Sequence, residues 1–192
     1  MTGRTHDLAA FTAMVAVMTI SDLPHMSLGT ALVSFSANMI GGLAPDLDQP
    51  TAALWRRYRG GRIVGKILQP LFGGHRFISH SLIGYIIFGF IAHILLQALN
   101  TILLVDMNIV WWAFMIGYGS HLIMDSFTYE GVPWLFPIPI MFGLPPLRFL
   151  RMKTGGLVEK SFVFPMLLLT NIYLVYTHYA KLLDFFRHYL TK

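Results

Sequence analysis

The chain contains no cysteine, which excludes disulfide bridges and removes thiolate from the ligands available to any metal. It also has little charge. Asp, Glu, Lys and Arg make up 12% of its 192 residues, about half the roughly 25% of an ordinary globular domain. Apolar residues take their place: the hydrophobic share is 55% and the mean hydropathy is +0.61. These values describe a polytopic membrane protein, read as one domain over residues 1–192. The net charge of +5 calls for no nucleic acid, because membrane proteins gather Lys and Arg in loops on one side of the bilayer, and no nucleic-acid fold is recognisable. Repeats and low-complexity stretches are also missing. The N-terminal segment lacks a small-x-small cleavage site, so it is read as retained.

Five hydrophobic segments are present, near residues 8–20, 27–44, 79–104, 108–127 and 161–180. A span needs roughly 20 apolar residues, which the last three approach most closely; the first two could also form a re-entrant hairpin. The expected fold is an all-α membrane bundle of about four to five hydrophobic helices. Loop charge sets its orientation. Residues 45–78 carry Arg56, Arg57, Arg59, Arg62, Lys66 and Arg76, and residues 128–160 carry Arg148, Arg151, Lys153 and Lys160. The connections at 21–26 and 105–107 have neither Lys nor Arg. The positive-inside rule then places the N-terminus and both long loops in the cytoplasm. The tail, with Lys181, Arg187 and Lys192, fits the rule poorly unless it is an interfacial amphipathic helix or the fifth segment stops short of crossing. WRRYRGGRIVGKILQPLF (55–72) reads as a segment lying on anionic headgroups. The proline-rich, apolar 129–147 stretch reads as an extended, membrane-adjacent loop that could roof a site.

Ionisable groups in membrane segments are costly and call for a partner or a function. His121 and Asp125, in GYGSHLIMD, are four residues apart and share a helix face. They fall at the cytoplasmic end of the fourth segment. His80 opens the third segment at that same end, with His75 just before it in GGHRFISHS. Asp46 and Asp48, in GGLAPDLDQP, follow the second segment, and His6 precedes the first. Topology drawn from Lys and Arg alone therefore puts all seven at one membrane face. Singly, each motif has an ordinary explanation: PDLD as a capped turn, the His-x3-Asp pair as an internal hydrogen bond, HRFISHS as a helix start. Their convergence points to a metal. Imidazoles and carboxylates without thiols suit zinc first, with manganese or iron as alternatives, and seven candidates suffice for two ions. Arg76 could hold a phosphate oxygen through its planar fork, and Glu159 could serve as a further ligand or general base. His93, His25, His178 and His188 are left out of the site.

The ordered set of an N-terminal His, GGLAPDLDQP, GGHRFISHSL, GYGSHLIMDSFTYEGVPWLFP and TGGLVE resembles the inner-membrane, metal-dependent hydrolases of the YdjM type. The likeness covers roughly residues 4–160. It implies metal binding by His6, Asp46, Asp48, His75, His80, His121 and Asp125. The order of PD, His and His-x3-Asp is also similar to zinc-dependent phospholipase C. Phe77 departs from the family pattern, where a small residue is expected after HR. The expected function is hydrolysis of a phosphoester, of a lipid or a membrane-associated substrate, by metal-activated water at a cytoplasm-facing site in the bacterial inner membrane. The other reading is a metal transporter or a metal-stabilised scaffold, although transport sites sit near the midplane.

Overall fold

The structure, a computed structural model, describes residues 1–21, 26–52, 55, 59, 61–71 and 76–190. Among these residues it is all-helical: α1 Gly3–Ile20, α2 Leu28–Leu43, α3 Gly61–Leu71, α4 Leu82–Leu99, α5 Met107–Ser126, α6 Phe164–Thr177 and α7 Tyr179–Leu190. A 3-10 turn, Ala44–Asp48, prolongs α2, and a π-helical turn, Glu159–Val163, leads into α6. All five hydrophobic segments are thus helical. Short polar side chains start several of them. The Ser27 hydroxyl accepts from the Thr30 N–H, Ser81 from Gly84, and Asp106 from Asn108 and Ile109, each satisfying amide groups the first helical turn leaves unpaired.

Helix α5 is the axle of the bundle, packed by α1, α2 and α4, while α6 lies against α1. Among the described residues, the helices long and apolar enough to cross a membrane are Leu28–Asp48, Leu82–Leu99 and Glu159–Thr177. The second hydrophobic segment therefore qualifies, whereas the fourth, in α5, does not. Its Asn, Trp, Gly, Ser, His and Asp residues lower its hydropathy. Val110, Ala113, Phe114, Met115, Tyr118 and Leu122 of α5 are buried against other helices, so α5 faces protein rather than lipid and tolerates His121 and Asp125. The lipid-like surface is on α4 and α6 instead, where Ile86, Phe90, Leu95, Leu169 and Ile172 are exposed. Helix α3 shows exposed Ile63, Val64 and Ile67 beside exposed Arg62 and Lys66, as an interfacial helix would. Most of the basic run before it lies outside the described residues.

Helices α2 and α5 run in the same direction. At one end the Asp106 N–H donates to Thr30 Oγ1 (3.1 Å), and at the other His121 Nδ1 meets the Gly42 carbonyl (2.7 Å). That second end also holds the starts of α1 and α4. At the opposite end Lys181 donates to the carbonyls of Thr19 (3.1 Å) and Ser21 (2.6 Å), closing the C-terminus of α1 with a cation. The tail helix α7 therefore joins the bundle at the end away from His121.

Glycine sets the spacing of this pair. A Cβ on Gly41 would come within 2.1 Å of the Phe114 carbonyl oxygen, and one on Gly117 within 2.0 Å of the Asn38 carbonyl oxygen. Such backbone-to-backbone approach is how small residues let membrane helices pack. Gly119, two residues on and on another face, would meet nothing nearer than the Tyr85 ring at 3.6 Å. Gly117→Ala is expected to destabilise the folded protein by about 1–3 kcal/mol through overpacking, and Gly119→Ala to leave it unchanged or slightly better. Reversible unfolding in mixed micelles measures the difference.

Candidate metal centre

The site is assembled from the last two turns of α5, the Ala44–Asp48 turn, the segment before α4 and the first turns of α1. His121 is the most constrained of its rings. Its Nδ1 meets the Gly42 carbonyl at 2.7 Å, so that nitrogen carries the hydrogen and Nε2 keeps its lone pair. The side chain is buried, and Nε2 has no hydrogen-bond partner. A backbone carbonyl on one nitrogen with the other left bare is how proteins prepare a metal-binding imidazole.

His80 is prepared differently. Its Nδ1 lies 3.0 Å from Ser79 Oγ, and that hydroxyl donates to Asp48 Oδ2 at 2.5 Å. The Arg76 backbone N–H donates to the same oxygen at 3.0 Å. To aim it there Arg76 adopts φ 65°, a conformation that costs a non-glycine residue energy and is typical of functional loops. The Tyr118 hydroxyl donates to the Ser79 carbonyl at 2.6 Å, fixing this segment onto α5. Asp48, fully buried, thus reaches His80 through Ser79.

Four donors then face one another. His80 Nε2 lies 3.8 Å from Asp46 Oδ1 and 3.7 Å from Asp125 Oδ2; His121 Nε2 lies 3.7 Å and 3.9 Å from the same two oxygens. These separations are too long for hydrogen bonds and of the order that ligands on a common cation would have, given bonds of about 2.0–2.2 Å. Asp46, His80 and His121 form one group able to hold an ion, and His6, His121 and Asp125 form another. His6 stacks on His121 with ring centroids 3.7 Å apart, and its Nε2 is 3.1 Å from Asp125 Oδ1. The Met1 amine also donates to Asp125 Oδ1. Of the quartet, Asp46 is the member that reaches solvent, its side chain 24% exposed.

Arg76 is likewise at the centre. Its Nη2 pairs with Asp125 Oδ2 at 2.7 Å, Nη1 donates to the Gly131 carbonyl at 3.0 Å, and Nε faces Glu130 Oε2 at 3.2 Å. Glu159 is buried but turned toward α1: Oε1 accepts from the Thr2 N–H (2.8 Å) and from the Thr2 and Thr5 hydroxyls (2.7 and 2.6 Å), while Oε2 accepts from the Gly155 N–H (2.7 Å). Phe77 is partly exposed and meets Phe136 edge-on, with centroids 6.2 Å apart.

Of the residues singled out from the sequence, His6, Asp46, Asp48, Arg76, His80, His121 and Asp125 come together, Glu159 fastens the helix that bears His6, and His75 lies outside the described residues. Ser79, Tyr118, Thr5 and Glu130 were not anticipated as part of the site. Adjacency was the available signal: Ser79 precedes His80, Thr5 precedes His6, and Tyr118 stands three before His121 on the same helical face.

A helical membrane protein carrying a buried His/Asp donor cluster at one end of its bundle is the class these features define. The chain belongs to the YdjM inner membrane protein family, whose model matches residues 1–183. It is 31% identical over 160 residues to the uncharacterized protein YvsG of Bacillus subtilis (strain 168), a match covering 83% of this chain and 86% of that protein. No solved structure matches it.

Loss of an outer hydrogen bond to a ligating imidazole typically costs about 10–100-fold in metal affinity. Ser79→Ala is expected to weaken divalent-ion binding by that factor while leaving helical content intact, as read by metal titration and circular dichroism. Unchanged affinity would remove His80 from the ligand set.

Proposed function

We propose that the protein is an integral membrane metal-dependent hydrolase that cleaves a phosphoester, of a lipid or another membrane-held substrate, on the cytoplasmic side of the inner membrane. The observation that carries this reading is the buried, unpartnered Nε2 of His121, locked by Gly42 and facing Asp46 and Asp125. An apolar environment would not retain such a group without a use for it. His80, His121, Asp46 and Asp125 would hold one divalent ion, zinc first by donor chemistry and manganese or iron next. A second ion would draw on His6, which with His121 and Asp125 forms the other donor group. A bound cation supplies Lewis acidity toward a phosphoryl oxygen and makes water acidic enough to attack near neutral pH.

The protein's own groups do the rest. Arg76 places a permanent charge beside the acidic donors, and its planar fork suits a phosphate. Its partner Glu130, whose side chain is 60% exposed, is the contact a phosphate would displace most easily. Glu159, with its oxygens committed to Thr2, Thr5 and Gly155, acts as a positioning residue for α1 rather than as the general base. The depth of the cluster at the end of a bundle with spanning helices favours a membrane-held substrate. Arg62 and Lys66 on α3, with the basic residues of the 128–160 loop, support a cytoplasmic site by the positive-inside rule.

Elemental analysis of detergent-purified protein is expected to find bound divalent metal, retained in His93→Ala and lost in His121→Ala/Asp125→Ala. Hydrolysis of bis-p-nitrophenyl phosphate and of phospholipid in mixed micelles should disappear in Asp125→Asn. Full activity in that variant, or a metal-loaded protein inert toward phosphoesters that carries zinc across liposomes, would overturn the reading. Glu159→Gln keeps an acceptor toward Thr2 and Thr5, so it should lose only a few-fold in rate with an unaltered pH profile. Disappearance of one limb of that profile would restore Glu159 as the base.

A further inference from the structure

The 129–151 loop has apolar side chains on its outside. Leu135, Ile138, Ile140, Leu144, Leu147, Phe149 and Leu150 are each at least half exposed, Phe149 by 77%. Such a surface on a water-washed loop would be an aggregation liability. Its backbone shows the same bias. From Phe136 to Pro146 the residues are either prolines, which have no N–H, or donors already bonded: Phe136 to Pro133, Ile138 to Leu135, Ile140 to Ile138, Phe142 to Val132 and Leu144 to Ser126. Met141 and Gly143 are the exceptions for which no backbone acceptor is found. Arg151 donates to the carbonyls of Pro145 (2.8 Å) and Pro146 (2.9 Å), and Arg148 to that of Tyr129 (3.2 Å). A segment with few idle amides and an apolar exterior suits a place where water is scarce.

Its position gives the occupant. The Leu82 N–H donates to the Trp134 carbonyl at 3.0 Å, and Trp134 Nε1 to Ser126 Oγ at 3.0 Å. The loop is therefore fastened to the starting end of α4, whose exposed face of Leu82, Ile83, Ile86 and Phe90 is part of the lipid-like surface. The apolar exterior of the loop continues that surface beyond the end of the helix. Arg148, Arg151 and exposed Lys153 stand at its base, where cations meet anionic headgroups.

We infer that the loop is inserted into the leaflet at the site-bearing end of the bundle, with Ile138, Leu147 and Phe149 among the acyl chains and Arg148 and Lys153 at headgroup level. The partner is the lipid bilayer itself. This stands independently of hydrolysis or metal binding. Its consequence for Arg76 is direct: Gly131 and Glu130, at the root of the loop, hold the guanidinium, so the depth of the loop fixes the depth of the site.

The cysteine-free sequence allows a clean test. Ile138→Cys, Leu147→Cys and Phe149→Cys, each spin-labelled in the full chain and reconstituted into phosphatidylcholine/phosphatidylglycerol vesicles, are compared with Ile86→Cys on α4 and Lys153→Cys. Collision with oxygen relative to a water-soluble nickel chelate should match Ile86 at all three loop positions and exceed Lys153 several-fold. Ratios like that of Lys153 would show a water-exposed loop and overturn the inference. Exclusion of both reagents would show a protein surface covering it, a second copy included, and would overturn it equally.

Discussion

Everything at the site depends on how closely two backbones approach. Helices α2 and α5 touch through Gly41 and Gly117, without side chains between them, and this carries the Gly42 carbonyl to His121. Any larger residue at that contact would separate the helices and release the imidazole. The same pairing puts the Ala44–Asp48 turn, which prolongs α2, against the last two turns of α5. Two carboxylates and a ring then meet as a result of helix packing, with no loop having to find them. The centre is in effect a by-product of close-packed membrane helices, which is why its donors keep their geometry in so polar a cluster.

The second theme is the sorting of similar residues into different work. Asp46 and Asp48 differ by two positions in a 3-10 turn, yet one faces His80 and His121 directly while an oxygen of the other accepts from Ser79 and the Arg76 amide. His6 and His121 lie ring on ring, but only His121 has a carbonyl holding its Nδ1. Asp125 is shared among Arg76, His6 and the Met1 amine. Charge on Asp48 and Asp125 is therefore balanced locally: carboxylates that would be prohibitive in an apolar medium are matched by donors from Ser79 and Arg76 in the one case and by Arg76 and the Met1 amine in the other.

Much of this was legible in the primary structure. The apolar segments gave the helices, and basic loops gave a common end for His6, Asp46, Asp48, His80, His121 and Asp125, which the folded chain brings together. What could not be read was the distinction between contact and support. Sequence spacing places a side chain on a face but does not say whether a neighbour such as Ser79 intercepts it. Glu159 shows this well: its position near the start of the last hydrophobic segment suggested chemistry, yet Thr2 and Thr5, over 150 residues away, claim it. Helix α5 shows a second distinction that spacing does not carry. Burial by protein and burial by lipid both favour apolar residues, and only packing separates them.

The Glu159 contact also bears on how the molecule comes into being. Its carboxylate ties the opening turn of α1 to a residue 154 positions from Thr5. During synthesis the first helix is in place long before the segment that anchors it has left the ribosome. His6 must therefore wait for the last large helix to insert, and a nascent or truncated chain carries the ingredients of the centre without its closure. The donor cluster thus closes only once residue 159 has joined the first helix.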